Sequence, residues 1–267
     1  MKIDTIGIIG QGFVGSAVRE GMCNFVNVDT YDKDPSKNST VNDLTEIVKK
    51  NDIIFVCLPT PMRRTGECDL SIIDTVIHQI DEIAGSLNVE KIAVVKSTIP
   101  PGTTANLNSD VSNIQVVFNP EFLTEANHIE DFKNQTRIIL GGPRPATTVV
   151  KTLFKRAFPS VPIIKTGSNT AEMVKYFINC FLATKVTFAN EMYMLAQQLD
   201  IDFDKVTEYA LYDHRIGRSH LAVPGPDGDF GFGGHCFPKD LNAMIYLASV
   251  LNVDTTLLEA VENKKAA

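Results

Sequence analysis

The sequence predicts an α/β chain in which a doubly wound parallel Rossmann-like sheet is followed by a long central helix and a small all-helical domain. Three observations predict it. A short apolar run, Ile3 to Ile9, leads into Gly10, Gly12 and Gly15. Apolar strand-like segments then alternate with polar, helix-like ones. From Ser168 to about Leu199, no proline or internal glycine interrupts the chain. At 267 residues and 44% hydrophobic content, the chain can bury two modest cores. The expected division is 1–167 for the sheet domain and 168–267 for the helix and helical domain.

In "GQGFVG", Gly10 permits a tight turn, Gly12 lets a pyrophosphate reach the backbone and Gly15 allows close helix packing. Phe13 and Val14 complete the loop, which would present phosphates to a helix N-terminus. The next apolar stretch, "FVNVDTYD", ends at Asp32, seventeen residues after Gly15. A carboxylate there would bond the adenosine ribose hydroxyls and favour NAD over NADP. Asp29 lies inside the strand and ranks second, and Lys33 somewhat weakens the exclusion of NADP.

Further strands are expected at "DIIFVCLP", "KIAVVKST", "IQVVFNP" and "TRIILGG". Ligands of such sheets bind beyond the carboxyl ends of the strands. Those ends carry Pro59-Thr60-Pro61, Lys96-Ser97-Thr98 with Pro100-Pro101-Gly102, and Asn119-Pro120-Glu121 with Glu125.

The long helix would extend about 45 Å. Its apolar positions, among them Met173, Phe177, Phe181, Phe188, Met192 and Leu195, spread around it, so it needs burial on most sides and predicts a homodimer. Lys175 and Asn179, four residues apart, share a face. They read equally as site residues or as a snorkelling lysine and a core asparagine. Glu172 and Glu191 read as structural.

In "GFGGHCFPKD", Pro238 suits a first helical position, which puts Cys236 at a helix entrance. The helix N-terminus and Lys239 would favour its thiolate; the alternative is a buried packing cysteine. The five cysteines contain no CxxC pair, so neither zinc nor a disulfide framework is expected. A net charge of −7 argues against a broad nucleic-acid surface. With no leader and no apolar run of membrane-spanning length, the expectation is a soluble cytoplasmic protein.

In order, "GQGFVG", "LPTP", "KSTIPPGTT", "NPEFLTEA", "AEMVKYFINCFLATKVTFANE", "DHRIG" and "GFGGHCFPKD" resemble the UDP-glucose/GDP-mannose dehydrogenase family. That family oxidises a nucleotide sugar, most commonly UDP-glucose, at C6 from alcohol to carboxylate with two NAD. The resemblance implies that Cys236 is the catalytic thiol, with Lys175, Asn179, Asp240, Thr98, Glu121 and Glu125 around it. Asp240 or Lys175 would take the first proton, and Lys175 and Asn179 would stabilise oxyanions. Glu121, with Thr98 ordering water, would be the hydrolytic base, and Glu125 would face the nicotinamide, though these glutamates could exchange roles. Pro59, Thr60 and Lys239 would flank the cofactor. Glu121, Phe122, Leu123 and Glu125, with Phe230, Gly231, Phe232 and Gly233, would hold the nucleotide sugar, and Arg215 would reach a neighbouring subunit's substrate. No metal is implied. Two features depart from the family: His235 precedes the thiol, and family members usually continue into a third, nucleotide-binding domain. A weak or inactive homologue that only binds NAD, or a single-hydride hydroxyacid dehydrogenase, are the competing expectations.

Overall fold

β3 (Ile53–Val56) is buried along its whole length, and its residues alternate between two cores. Ile53 and Phe55 join one apolar cluster, Ile54 and Val56 the other. This is what a strand covered on both faces requires. The computed structural model, which describes residues 3–264, places it third in a seven-stranded sheet. The other strands are β1 (Thr5–Ile9), β2 (Asn27–Tyr31), β4 (Lys91–Val95), β5 (Ile114–Phe118), β6 (Ile138–Gly141) and β7 (Ile163–Thr166), in the spatial order β2-β1-β3-β4-β5-β6-β7. Helices α1 (Phe13–Met22), α2 (Leu44–Lys50), α3 (Ser71–Ser86), α4 (Thr103–Asp110), α5 (His128–Lys133) and α6 (Ala146–Ala157) come between strands.

β1 to β5 are parallel, as the alternating pattern predicts. The expected strand at "TRIILGG" forms, but β6 meets β5 antiparallel, at the pairing Phe118↔Gly141, and β7 then runs parallel to β6. The sheet is thus mostly, not wholly, parallel.

The uninterrupted segment forms α7 (Ser168–Gln198), followed by α8 (Phe203–Ala210), α9 (Cys236–Val250) and α10 (Thr256–Asn263). The chain divides into two compact units, residues 1–61 with 69–175 and residues 62–68 with 176–267. The second unit has smaller cores, one around Cys180, Ala183, Phe232, Leu241 and Val261, the other around Ala189, Ala196, Phe203 and Val223. Many apolar residues of α7 remain exposed, including Phe177, Phe181, Phe188 and Leu195. Among the described residues no helix is long and apolar enough to cross a membrane.

α9 starts two residues earlier than its proline suggests: Cys236 is its first residue and Pro238 its third. A third-position proline still lies in the first turn, where its missing N–H leaves no helical bond unmade. Cys236 therefore stands inside the helix's first turn and is partly exposed.

Candidate active site

At the carboxyl end of β1, Gly10 has a φ of +89°, and a Cβ there would lie 2.3 Å from the Cys57 carbonyl oxygen. A Cβ on Gly15 would fall 1.9 Å from the Gly10 carbonyl oxygen, whereas one on Gly12 would meet nothing within 4 Å. The first and third glycines are therefore demanded by the fold, and the second leaves an open cradle in front of α1, whose N-cap Gly12 offers no side chain to its amides. Asp32, just past β2, accepts the Gln11 N–H at 2.7 Å and the Asp34 N–H at 2.9 Å, which aims it at the same loop. Asp29 instead accepts from the Asn51 amide at 3.2 Å and serves the fold. The cradle and its adjoining carboxylate fit the pyrophosphate and adenosine ribose of NAD. Phe13 is exposed and meets the ring of His128 edge-on, and Lys33 is exposed.

Past β3 and β4, the loops are fastened to each other. The Ser97 hydroxyl donates to the Leu58 carbonyl at 2.6 Å and accepts the Leu58 N–H at 3.0 Å, and the Thr60 hydroxyl donates to the Thr98 carbonyl at 3.0 Å. Pro59, between them, is exposed.

Past β5, Asn119 accepts from the buried Lys96 ammonium at 2.9 Å and donates to the Ile139 carbonyl at 2.7 Å. Two residues on, Glu121 accepts from Lys175 at 2.9 Å and from the Leu123 N–H at 2.7 Å. Burial pushes the Glu121 carboxyl up. The Lys175 ammonium, the Leu123 N–H and Lys96 together outweigh burial and hold it below its ordinary value. The Phe122 ring lies 4.1 Å from the Arg137 guanidinium and 5.6 Å from the Lys175 ammonium. A cavity of about 250 Å³ adjoins Lys96, Glu121, Phe122, Leu123 and Arg137. Glu125 is exposed, with its carbonyl 2.9 Å from His128 Nδ1.

In the second unit, Asp240 is 1% exposed and accepts from the Asn179 amide and the Lys239 ammonium, each at 2.6 Å. Asp240 follows Cys236 by one turn of α9 and so lies on its face. Burial pushes the Cys180 thiol up to about 12 and the Tyr176 hydroxyl well above its ordinary value, with Asp240 adding to both. In the glycine loop before Cys236, the Gly231 N–H donates to Asn190 at 3.0 Å, and Phe232 is buried. Phe230 is exposed against Tyr193, and Gly233 has open space where a Cβ would stand. Arg215 has an 80% exposed side chain and forks onto the Asp213 carboxylate at 2.9 and 3.1 Å.

Sequence reasoning thus finds both halves of the two buried polar clusters, Lys175 with Glu121 and Asn179 with Asp240 and Lys239. It gives no part to Asn190 or Arg137, and names Lys96 and Asn119 only as strand-end residues. The one sequence signal for Lys96 is a lysine closing the apolar run "KIAVV". Asn190 and Arg137 carry no such signal.

The NAD binding domain of the UDP-glucose/GDP-mannose dehydrogenase family matches residues 30–158, and the family's central domain matches residues 169–265. UDP-glucose 6-dehydrogenase TuaD of Bacillus subtilis is 34% identical over 248 residues, covering 90% of this chain and 51% of that protein. GDP-mannose 6-dehydrogenase of Pseudomonas syringae pv. tomato is 33% identical over 230 residues, covering 82% and 51%. A solved UDP-glucose dehydrogenase structure from the archaeon Pyrobaculum islandicum superposes with a TM-score of 0.88 at 28% identity, over 99% of this chain and 68% of that one. The chain spans about half the length of these two curated relatives. With a glycine cradle and ribose-side carboxylate in one unit, a cysteine-led helix in the other, and two family domains matched across most of its length, the chain belongs to the UDP-glucose/GDP-mannose dehydrogenase family.

Proposed function

We propose that this chain oxidises the C6 alcohol of a nucleotide sugar, UDP-glucose first among the candidates, to the carboxylate with NAD. The observation that carries the proposal is the buried Lys175–Glu121 pair, which keeps a buried carboxylate ionised. An ionised buried carboxylate beside a fixed cation is what activating a water beside a developing oxyanion requires.

NAD supplies the hydride acceptor, one molecule for each of the two oxidation steps. Gly10, Gly12 and Gly15 hold its pyrophosphate and Asp32 its ribose, with Phe13, Val14, Pro59, Thr60, Glu125 and Lys239 flanking the remainder. Lys175, engaged by Glu121, acts as a cation, so Asp240 accepts the proton of the C6 hydroxyl. The Cys236 thiolate adds to the resulting aldehyde carbon, and Lys175 and Asn179 stabilise the alkoxide of the thiohemiacetal. Loss of the second hydride leaves a thioester. Glu121 takes a proton from a water ordered by Thr98, the hydroxide attacks the thioester carbonyl, and the Cys236 thiolate departs. Overall, alcohol and water become carboxylate, two hydrides and three protons.

Phe122, Leu123 and the loop from Phe230 to Gly233 line the sugar nucleotide, with Arg215 contributing across a homodimer formed on α7. The division of labour follows 1–167 for NAD and 168–267 for the thiol and dimer face, in a reducing cytoplasmic setting.

Counting NADH per nucleotide sugar tests the proposal. Two supports the full oxidation, one a simple dehydrogenase, and none an NAD-binding module. UDP-glucose, GDP-mannose and N-acetylated UDP sugars are the substrates to compare. Cys236→Ser should bind NAD normally and lose aldehyde oxidation; acid formation at the parent rate would rule out the thiol mechanism.

A further inference from the structure

Glu172, in the second turn of α7, is completely buried. Its two carboxylate oxygens accept one N–H each, from Gly102 and from Thr104, both at 2.8 Å. Burial pushes the carboxyl up, and the Thr104 side chain and these two N–H groups offset only part of that, so it sits above its ordinary value. No cation among the described residues helps to hold the charge.

The two amides belong to the N-terminus of α4. Its N-cap is Gly102, at φ +101°, which has no side chain to bond the first turn. Glu172 performs that capping from a helix seventy residues further along the chain. The charge suits the positive end of the helix, and a carboxylate presents two acceptors with no donor among them.

The Gly102 end of this loop is continuous with Thr98. Between them lie Ile99, which is fully buried, and two prolines, and the Thr103 N–H and hydroxyl both bond the Pro100 carbonyl, at 3.2 and 2.7 Å. The segment is stiff. Its Thr98 end is tied to the sheet through Thr60 and Ser97, and its Gly102 end to α7 through Glu172. One turn later, α7 carries Lys175, which holds Glu121.

We infer that Glu172 is a positioning residue that sets the Thr98 loop in register with the Lys175–Glu121 pair. The inference rests on the reading of Thr98 and Glu121 as the groups that order and activate water. Stability alone does not call for a tie to α7, because a helix N-terminus is ordinarily capped by its own N-cap side chain. Water attack does call for it, since a reacting group displaced by about 1 Å can cost on the order of 100-fold in rate.

The test is Glu172→Gln, which keeps the shape and offers one acceptor in place of two, beside Glu172→Asp, which keeps the charge and withdraws its reach. Both should lower kcat by about 10- to 100-fold. The kcat/KM for the sugar nucleotide and the NAD dissociation constant should stay within about twofold, KM falling with kcat because the slow step follows thioester formation, and the Gln variant should stay folded at the assay temperature. Thioester hydrolysis becomes the slow step, so both variants should show a first-turnover burst of NADH. The amide protons of Gly102 and Thr104 should exchange faster with deuterium in both. Unchanged amide exchange, an unchanged kcat, full rescue by Asp, or a fall in melting temperature that accounts for the lost activity would each overturn the inference. A parent chain that makes no NADH with any sugar nucleotide sinks the proposed function instead. Amide exchange then decides the tether: faster in the variants upholds it, and equal rates dismiss it.

Discussion

A single ammonium, Lys175 Nζ, holds both the side chain and the backbone of Glu121, at 2.9 Å from its carboxylate and 2.8 Å from its carbonyl oxygen. Both side chains are almost wholly buried, 4% and 9% exposed. Removing the cation with Lys175→Met leaves a buried carboxylate without its ion-pair partner, which costs about 3–5 kcal/mol at neutral pH. In the parent, the folded carboxyl sits below its ordinary 4.5, so the pair contributes stability above that value and loses it as pH falls through the folded value. In the variant burial is opposed only by the Leu123 N–H and Lys96, so the folded value rises above the parent's and the gain in stability with pH shrinks. Denaturant titrations at pH 3 to 7 should therefore show the variant's deficit widening as pH rises. A deficit that is the same at both ends would show that the ion pair does not hold Glu121.

The glycine loop makes a prediction in which fold and cofactor separate. Gly12→Ala adds a methyl into open space, so the folded protein should keep its melting temperature while NAD binding weakens by about tenfold or more, each tenfold being about 1.4 kcal/mol. Gly15→Ala drives a methyl to 1.9 Å from the Gly10 carbonyl oxygen, so it should lower the melting temperature itself. Calorimetry of NAD binding beside thermal melts distinguishes them. Equal loss of stability in both variants would contradict an open cradle at Gly12.

What the sequence makes legible follows from the range of the interactions involved. The glycine loop and the apolar runs of β1 to β5 are local patterns, and so is the uninterrupted α7, which ends one residue from its expected limit. β7 (Ile163–Thr166) gives little signal, because it is an edge strand whose residues are only partly buried. The direction of β6 has no local signature either, since "TRIILGG" reads the same in both orientations. Lys175 and Asn179 stand out as polar groups on an apolar helix. Glu172 gives the same signal and reads as structural, because the groups that define its part, the Gly102 and Thr104 amides, lie about seventy positions away. Lys96 and Asn119 are visible as strand ends, but their bond to each other spans 23 positions.

Lys96 yields a pH prediction of the same sign in the alkaline range. Burial pushes its ammonium down from 10.5 to about 8, and the nearby Cys57 thiol and Glu121 recover only part of that. Between these values, the unfolded chain binds a proton that the folded one has released, so the lysine's contribution to stability rises with pH from about 8 to 10.5. The size is on the order of 3 kcal/mol at 1.36 kcal/mol per pH unit. Other groups titrate in the same range, burial holding the Cys57 thiol up at about 12, so the measurable quantity is parent minus Lys96→Met. That difference should climb across the window. A flat difference would mean that Lys96 keeps its proton in the folded chain.

The exposed face of α7 carries the proposed homodimer. Phe181, Phe188 and Leu195 recur every seven residues and are 59%, 58% and 57% exposed, while Phe177, one turn before Phe181, is 68% exposed and stacks on it at 6.4 Å. A row of large apolar groups at this spacing forms one stripe along a helix, the pattern of a helix that packs against another. A second copy would bring the same stripe to meet it, and a stable interface needs roughly 1,000 Å² or more. The double variant Phe177→Glu with Phe181→Glu places charges on that stripe without touching either core, so each chain should fold as before. Sedimentation should find the parent dimeric at micromolar concentration and the double variant monomeric, with NAD affinity unchanged. A parent that sediments as a monomer, or a double variant that stays dimeric, removes α7 as the joining surface.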